Sequence, residues 1–388
     1  MPSSYCRHLL SNYPQARPVN MTDFRFTRLA ATLPSTVPFV GPEAQERSLG
    51  NAFACRLGAN ESVFGPSPKA ITAMAESDHW KYGDPESFDL RSALSTHLGI
   101  DSSHIMVGEG IDALLGYLVR LFVGAGDHVV TSLGAYPTFN YHVAGFGGTL
   151  HTVPYFDDHE NLEGLFAKAV EVKAKLVYLA NPDNPMGTWH KAETVEAALE
   201  TLPNNCILVL DEAYIECASG GIAPQIDPAD HRVIRMRTFS KSYGLAGARV
   251  GYAIGPTKVI NSFNKVRNHF GMNRSAQAGA LAALEDQAYL LNVTKKIIAG
   301  KDRITSIARK NGLKALPSAT NFVTIDCGGD GVFAKTVLEQ LIAQGIFVRM
   351  PFVAPQNRCI RISSGTTADL DLFAAALPGA LEAAKSAN

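Results

Sequence analysis

The chain has 388 residues, of which 46% are hydrophobic and 18% are charged, and its formal net charge is −1 at pH 7. That length and apolar content allow a large core and a second lobe. The balanced charge offers no basic field for nucleic acid, and no apolar run reaches the length of a membrane span, so we predict neither kind of partner.

The cysteines predict no metal site and no disulfide framework. Six of them, at positions 6, 55, 206, 217, 327 and 359, are scattered without a C-x-x-C spacing. Scattered cysteines in apolar contexts are typical of small buried side chains. We therefore expect a reducing compartment and a cytoplasmic location.

The first 36 residues are predicted to be a leader or arm that is partly disordered. Residues 1–20 carry Arg7 and Arg17, no acid, and no apolar core of a secretory signal. Such a segment is typical of a disordered leader, and an organelle transit peptide stays open as the alternative.

The first chemically informative element is a short apolar strand, Ile105–Val107, that passes through Gly108 and Gly110 into a helix. Free N–H groups at the start of a helix bind phosphate readily, although glycine-rich turns from strand to helix are common in α/β proteins without any ligand. The two glycines also suggest a nicotinamide-binding turn, but the third glycine of G-x-G-x-x-G is missing, which counts against that interpretation.

Further strands alternate with helical stretches and predict an α/β domain with a mostly parallel sheet. These strands are 128–131, 176–179, 207–210, 233–236 and 249–254. Polar residues follow several of them at their carboxyl ends, where open α/β sheets bind ligands.

Two of these strand ends carry distinctive polar residues. The run from Asn181 to Gly187 is a rigid Asn/Asp-Pro turn that would aim the amide of Asn184 at a pocket, although turn formation alone also explains it. The strand at 207–210 ends on Asp211, with Tyr214 nearby; a strand-end carboxylate that caps the next helix is the simpler alternative.

The strand at 233–236 leads into Thr238, Ser240 and Lys241, and Arg249 follows eight residues after the lysine. By itself Ser-Lys-Ser is typical of a solvated turn. Together with the two hydroxyls and the arginine, the lysine is suited to form a Schiff base beside a bound phosphate monoester. Pyridoxal 5′-phosphate needs that combination, and Asp211 would then pair with its ring nitrogen while Tyr214 bonds its phenolic oxygen.

From about Ala276 the pattern becomes a long helical run, which we expect to bridge to a smaller α+β lobe. That lobe ends in a helix predicted over residues 370–384.

In this order, the motifs resemble the fold-type I pyridoxal-phosphate enzymes, and within them the class I/II aminotransferases. The resemblance covers roughly Phe39 to the end and is closest to the histidinol-phosphate aminotransferase family. Four further motifs carry it, at 60–68 (NESVFGPSP), 82–85 (YGDP), 345–349 (GIFVR) and 359–366 (CIRISSGT).

The resemblance implies a role for each motif residue. Lys241 would bond the cofactor, with Asp211 on the ring nitrogen and Tyr214 and Asn184 on the ring oxygen. The cofactor phosphate would be bound by Thr238, Ser240, Arg249, Gly110 and the N–H groups of Ile111 and Asp112. Phe139 would stack on the ring, with a core phenylalanine as the alternative, and Tyr82 would reach the phosphate of a neighbouring subunit in a homodimer with shared active sites.

Substrate residues follow from the same resemblance. Arg361 would grip a carboxylate with its planar guanidinium, and Asn60 would contact the substrate. Arg349 is the better candidate for the substrate's distal group, although Arg274 stays open.

The resemblance also implies the fold and the reaction. We expect a segment at 37–64 contributing to a small domain, a large cofactor-binding domain at 65–285 and a small C-terminal domain at 286–388. The implied function is an aminotransferase that moves an amino group from an amino donor to a 2-oxo acid such as 2-oxoglutarate. A decarboxylase or lyase of the same fold is the main alternative, and a non-catalytic ligand-sensing domain is disfavoured because every expected catalytic position is filled.

Three departures from the family pattern leave the amino donor open. Phe39 stands where the family usually has a tyrosine that helps to bind the substrate's phosphate, Met186 replaces a threonine, and Arg274 replaces an uncharged residue. Histidinol phosphate is therefore the leading donor, with aromatic and other amino acids as alternatives.

Overall fold

The structure is a computed structural model that describes residues 24–35 and 40–387. Most of the predicted leader and the replacement at Phe39 lie outside the described residues. Within the described ranges, no helix is long and apolar enough to cross a membrane.

A seven-stranded sheet forms the centre of the fold, and it confirms the predicted α/β class. Its order is β2-β8-β7-β6-β5-β3-β4, and all neighbours are parallel except those of β8. Its strands are β2 (Ile105–Gly108), β3 (His128–Ser132), β4 (Thr149–Val153), β5 (Leu176–Ala180), β6 (Ile207–Asp211), β7 (Val233–Thr238) and β8 (Gly251–Ile254). Helices cover both faces of such a sheet, which explains why the central strands are continuous apolar runs.

Two smaller sheets lie outside this large sheet. One has the order β12-β10-β9 and is called the small sheet below; the other pairs β1 with β11 in parallel. Their strands are β1 (Cys55–Arg56), β9 (Lys314–Ala315), β10 (Phe322–Asp326), β11 (Ile346–Phe347) and β12 (Cys359–Ser363). The domain boundaries given above stay a prediction.

Thirteen α-helices are assigned within the described ranges. They are α1 (Arg28–Thr32), α2 (Pro42–Leu49), α3 (Pro68–Ala75), α4 (Phe88–Leu98), α5 (Gly110–Phe122), α6 (Thr138–Gly145), α7 (Leu162–Val172), α8 (Ala192–Ala198), α9 (Thr257–Ser262), α10 (Arg274–Glu285), α11 (Gln287–Lys310), α12 (Gly331–Ala343) and α13 (Thr367–Ala387).

The long helical run predicted from Ala276 forms two helices, α10 and α11, because the helical conformation is interrupted at Asp286. This residue has φ −97° and ψ 61°, which is not helical. Its carboxylate accepts a 2.5 Å hydrogen bond from the hydroxyl of Ser67. The tertiary contact therefore fixes a break that helical periodicity does not reveal.

The carboxyl ends of the parallel strands meet at one edge of the large sheet. Asp211 is the last residue of β6 and Thr238 the last residue of β7, and the helix start at Gly110 directly follows β2. This edge gathers the polar residues that the sequence placed at strand ends.

Candidate active site

A cradle for an anion forms where α5 begins. The guanidinium of Arg249 lies 3.4 Å from the Ser240 hydroxyl and 3.2 Å from the Asp112 carboxylate. Thr238 bonds the Ser240 hydroxyl at 2.9 Å. Because the first N–H groups of a helix have no partner within the helix, α5 adds donors to this arginine and two hydroxyls, so the cradle fits a phosphate.

Gly110 makes the cradle possible. Its φ is +81°, and a Cβ placed there would lie 2.6 Å from Nη2 of Arg249. Only a residue without a side chain allows the helix start and the guanidinium to approach this closely. The space thus kept open is consistent with a bound phosphate group.

The Lys241 amine points at the backbone of the N-terminal segment. Its Nζ donates a 3.3 Å hydrogen bond to the carbonyl oxygen of Asn60 and lies 5.3 Å from the centre of the Tyr214 ring. The same carbonyl accepts a 3.0 Å bond from Asn321. Lys241 is only partly buried, so its amine is free to exchange this weak contact for a ligand.

Asp211 is buried and receives two hydrogen bonds. The Tyr178 hydroxyl donates to it at 2.7 Å and the backbone N–H of Ala213 at 2.9 Å. Burial raises the pKa of Asp211 to about 6, while the hydrogen bond from Tyr178 and the Lys241 charge oppose that rise. A cationic group bound beside such a desolvated carboxylate would favour its ionised form.

Asn60 connects this region with the small sheet. Its amide donates a 2.9 Å bond to the Tyr214 hydroxyl, and its side-chain oxygen accepts a 3.0 Å bond from Ser363. Asn60 has φ 55° and is buried. A non-glycine residue in this conformation indicates that its contacts outweigh the backbone strain.

Arg361 lies against the Asn184 turn. Its guanidinium donates to the side-chain oxygen of Asn184 and, at 2.9 Å, to the carbonyl of Gly58. Its Nε is buried and has no hydrogen-bond partner, and burial lowers the pKa of Arg361 to about 10. An unpaired buried guanidinium nitrogen favours an anionic ligand here.

The two other candidate arginines lie in different places. Arg349 is bridged to Arg361 through their backbones and packs on the Phe347 ring at 5.1 Å. Arg274 donates a 3.1 Å bond to the carbonyl of Tyr82, whose side chain is 79% exposed. Arg349 thus shares the site with Arg361, whereas Arg274 lies with Tyr82 at the protein surface.

Phe139 is a core residue, and the stacking role expected for it stays a prediction. It is fully buried, and its ring stacks on Tyr178 with a centroid distance of 4.9 Å. Tyr136, three residues earlier, instead donates a 3.1 Å bond from its hydroxyl to Asp112 in the cradle. The signal that distinguishes the two is the tyrosine hydroxyl, which needs a polar partner when buried.

The sequence also missed the side-chain roles of Tyr178 and Asp112. No short motif marks the tyrosine, which lies inside an apolar strand, and the aspartate was expected to act only through its backbone. In the parts of the chain that the structure covers, no cluster of three metal-ligating side chains occurs.

Comparison with known proteins gives a consistent set of relatives. The family model described as aminotransferase class I and II matches residues 54–377. A histidinol-phosphate aminotransferase of Moorella thermoacetica is 31% identical over 347 residues, which are 88% of this chain and 89% of that protein. Histidinol-phosphate aminotransferase 1 of Nitrosococcus oceani is 35% identical over 345 residues, covering 88% and 92% of the two chains.

Solved structures agree with this. The crystal structure of a histidinol-phosphate aminotransferase from Sinorhizobium meliloti, in complex with pyridoxal-5′-phosphate, is 55% identical with a TM-score of 0.90, and the match covers 93% of this chain and 99% of that one. An aspartate aminotransferase from Thermus thermophilus, 22% identical with a TM-score of 0.76 over 92% of this chain and 100% of that one, shares the fold.

Proposed function

Since the chain belongs to the aminotransferase class I and II family and is a pyridoxal-phosphate-dependent aminotransferase, we propose that histidinol phosphate is its amino donor and a 2-oxo acid such as 2-oxoglutarate its acceptor. The names of its relatives support the donor. The single observation that carries the proposal is the buried Arg361, whose Nε has no partner although two neighbours hold the guanidinium.

In this proposal the cofactor lies at the edge of the large sheet. Its phosphate is bound by Arg249, Ser240, Thr238 and the first N–H groups of α5, and its ring nitrogen by Asp211. When bound, pyridoxal phosphate supplies an electron sink that stabilises negative charge at the substrate carbon bearing the amino group. Tyr136 then takes the ring-stacking role, which its hydroxyl contact with Asp112 supports.

Lys241 moves the proton. Its Nζ would take the proton from the amino-bearing carbon of the substrate, hold it as an ammonium group, and release it again when the amino group is passed on. The amine can do this because its contact with the Asn60 carbonyl is long, at 3.3 Å, and costs little to leave. Tyr214 and Asn60, which are bonded to each other, orient the groups around it.

The two substrates share Arg361. Histidinol phosphate has a phosphate and no carboxylate next to its amine, whereas a 2-oxo acid has a carboxylate. A planar guanidinium can bind either group through two parallel hydrogen bonds. Arg349, adjacent to Arg361 through the backbone bridge, adds positive charge for the substrate's distal group.

We further propose a homodimer with shared active sites. Tyr82 and Phe270 are 79% and 55% exposed and lie 5.1 Å apart between ring centroids, next to the exposed Trp80. Such an aromatic patch favours a protein partner. Tyr82 would then reach the partner's cofactor phosphate, and Arg274, bonded to Tyr82, would act in the partner's site if it acts on substrate.

We also propose a cytoplasmic location. Cys55, Cys206, Cys217, Cys327 and Cys359 are all free and buried. Their unpaired state is consistent with a reducing compartment.

The test is a panel of amino donors added to the purified holoenzyme while the absorbance of the bound cofactor is followed. Histidinol phosphate should convert the cofactor from its aldehyde to its amine form faster than phenylalanine, aspartate or glutamate does at equal concentration. A faster reaction with phenylalanine would reject histidinol phosphate as the donor. In parallel, Lys241→Ala should retain the cofactor without a covalent link and lose turnover, and substantial residual turnover would reject the role of Lys241.

A further inference from the structure

Arg358 joins two regions that are distant in sequence. Its Nη2 lies 2.7 Å from the carboxylate of Asp158, in the turn after β4 of the large sheet. Its Nε lies 2.7 Å from the carboxylate of Asp326, the last residue of β10 in the small sheet. The three side chains are 14–23% exposed, so water screens these contacts less than those of a surface ion pair.

The turn that presents Asp158 is held in an unfavourable backbone conformation. Asp157 and Asp158 have φ of 47° and 61°, where glycine or asparagine is preferred. The flanking residues Phe156 and His159 close the turn through two backbone hydrogen bonds of 2.9 and 3.0 Å. The carboxylate of Asp158 is therefore presented to Arg358 from a turn whose backbone conformation is fixed.

The same contact lies beside the substrate arginine. Arg358 immediately precedes β12, which carries Arg361 three residues later and pairs with β10 in the register Thr324↔Arg361. On the other side, the carbonyl of Asp158 accepts a 2.8 Å bond from Thr188, in the turn that presents Asn184. The ion triad therefore ties the strand that carries Arg361 to the loop that carries its partner.

Two uncharged hydrogen bonds also join the Asn184 turn to β10 and to the segment before it. The hydroxyl of Thr324 donates a 2.8 Å bond to the carbonyl of Pro185, and the N–H of Ala319 donates a 2.9 Å bond to the carbonyl of Gly187. Both bonds join residues that are far apart in sequence, and neither involves a charged group. The charged triad is the stronger of these contacts because the two hydrogen bonds from Arg358 to the carboxylates of Asp158 and Asp326 join opposite charges.

We propose that the triad of Asp158, Arg358 and Asp326 is a clamp that holds β12 against the Asn184 turn, which makes Arg358 a positioning residue for the guanidinium of Arg361. The effect on substrate binding rests on the role proposed above for Arg361. The clamp itself does not, because it can be measured through backbone protection alone.

The experiment compares hydrogen exchange and steady-state kinetics of holoenzyme variants. Asp158→Asn removes the charge across the sheets and keeps a residue that tolerates the left-handed conformation. We expect peptides covering residues 183–188 to exchange faster, and the KM for histidinol phosphate and glutamate to rise about tenfold, below the roughly hundredfold loss that a displacement of about 1 Å can cause. The kcat and the cofactor spectrum should change little, because neither Lys241 nor Asp211 touches the clamp.

Three further variants make the result specific. Arg358→Gln should reproduce the Asp158→Asn effect, and Arg358→Lys should restore part of the protection. Asp127→Asn is the matched control, since it removes an aspartate that pairs with Lys175 at 2.9 Å without joining the sheets. It should leave exchange at 183–188 at the wild-type rate.

The outcomes separate the two proposals. Unchanged exchange at residues 183–188 in Asp158→Asn overturns the clamp, whatever the kinetics. Faster exchange together with an unchanged KM for both substrates supports the contact between β12 and the Asn184 turn but rejects Arg358 as a positioning residue for Arg361. The substrate role of Arg361 itself is then decided by the Arg361→Lys variant. An equal increase in exchange in Asp127→Asn would show a general loosening and overturn the clamp.

Discussion

The hydroxyl of Tyr178 donates a 2.7 Å hydrogen bond to Oδ2 of Asp211, and both side chains are buried. This bond supports the ionised form of a carboxylate that burial would otherwise keep protonated. Asp211 has a pKa raised to about 6 even with the hydrogen bond in place. The tyrosine therefore helps to keep negative charge where the proposed cofactor needs it.

Tyr178→Phe should move the acid limb of the rate-against-pH profile to higher pH. Without the hydroxyl the pKa of Asp211 rises further, so a smaller fraction of the enzyme carries the carboxylate near neutral pH. A hydrogen bond to a charged group contributes about 1.5–3 kcal/mol, so we expect a displacement of about one pH unit or more. The measurement is kcat/KM for one donor between about pH 5 and pH 9.

Tyr252→Phe is a suitable control for that variant, because Tyr252 is also a buried tyrosine of the large sheet. It should leave the acid limb where the wild type has it. If Tyr178→Phe also leaves the limb in place, while lowering the rate equally at all pH values, the hydroxyl does not act through the Asp211 charge.

Gly110→Ala should weaken cofactor binding. The new Cβ would meet Nη2 of Arg249 at 2.6 Å and would require φ +81°, so the guanidinium has to leave the cradle. We expect the dissociation constant of pyridoxal phosphate to rise about tenfold or more, equivalent to about 1.4 kcal/mol. Titration of the apoenzyme with the cofactor, followed by absorbance, gives that constant.

Gly126→Ala isolates the backbone contribution of that change. Gly126 has φ +87° with nothing within 4 Å of a built Cβ, so the substitution strains the chain without touching Arg249. Both variants should lose stability by about 1 kcal/mol, but only Gly110→Ala should lose cofactor affinity. Equal cofactor affinities in the two variants would mean that Arg249 does not bind the cofactor phosphate.

The sequence predicted the polar residues at the carboxyl ends of the strands, because a strand that ends on a polar residue is a local feature. Asp211, Thr238 and the start of α5 were found in this way. The packing of Phe139 was not predictable locally. It depends on where α6 begins and on the contact of its ring with Tyr178, which belongs to a strand 39 positions later.

Long-range contacts account for the other differences. The helix break at Asp286 depends on a hydroxyl at Ser67, and the orientation of Arg358 depends on Asp158. Charged residues of this kind are equally frequent on solvated surfaces, so their pairing follows from the tertiary fold and has no signature in the local pattern.

Arg361→Lys should raise the KM for carboxylate substrates. A lysine cannot present the planar fork that bonds Asn184 and Gly58 and leaves Nε for a ligand. Loss of a charge-assisted contact of about 1.5–3 kcal/mol predicts a KM for glutamate about 10- to 100-fold higher. As a control, the absorbance of the bound cofactor should be unchanged. A KM equal to that of the wild type would mean that Arg361 does not bind the substrate.

A pair of buried carboxyl groups behind the Asn184 turn should make the stability of the protein fall as pH rises. Glu160 and Asp183 lie close enough to influence each other's charge, and burial raises the pKa of Asp183 to about 7 and that of Glu160 well above its usual range. The native state therefore keeps a proton that the unfolded chain releases at about pH 4. The resulting stabilisation is fully present below about pH 4 and is lost as pH rises through the raised pKa values.

Glu160→Gln should reduce that pH dependence. The amide oxygen can still accept the 2.8 Å bond from the N–H of Ala180. The amide NH2 group then replaces the oxygen that accepts from Ser132, and it carries its protons at every pH, so it can donate to that hydroxyl or to Asp183. We expect the variant to match the wild type near pH 5 and to exceed its free energy of unfolding by about 1 kcal/mol or more near pH 9, because each pH unit over which a proton is retained contributes up to about 1.4 kcal/mol. Urea unfolding of the holoenzyme across this range measures the difference.

Glu212→Gln gives the opposite expectation and serves as the comparison. Glu212 is also fully buried, but it pairs with Arg235 and Arg237 at 2.8 Å each. The two arginine charges outweigh its burial and lower its pKa. Its replacement leaves two guanidinium groups without their partner and should destabilise the protein at both pH 5 and pH 9, by about 3 kcal/mol or more. A Glu160→Gln variant that behaves in the same way would mean that Glu160 is ionised in the native state, and that the pair with Asp183 holds no proton.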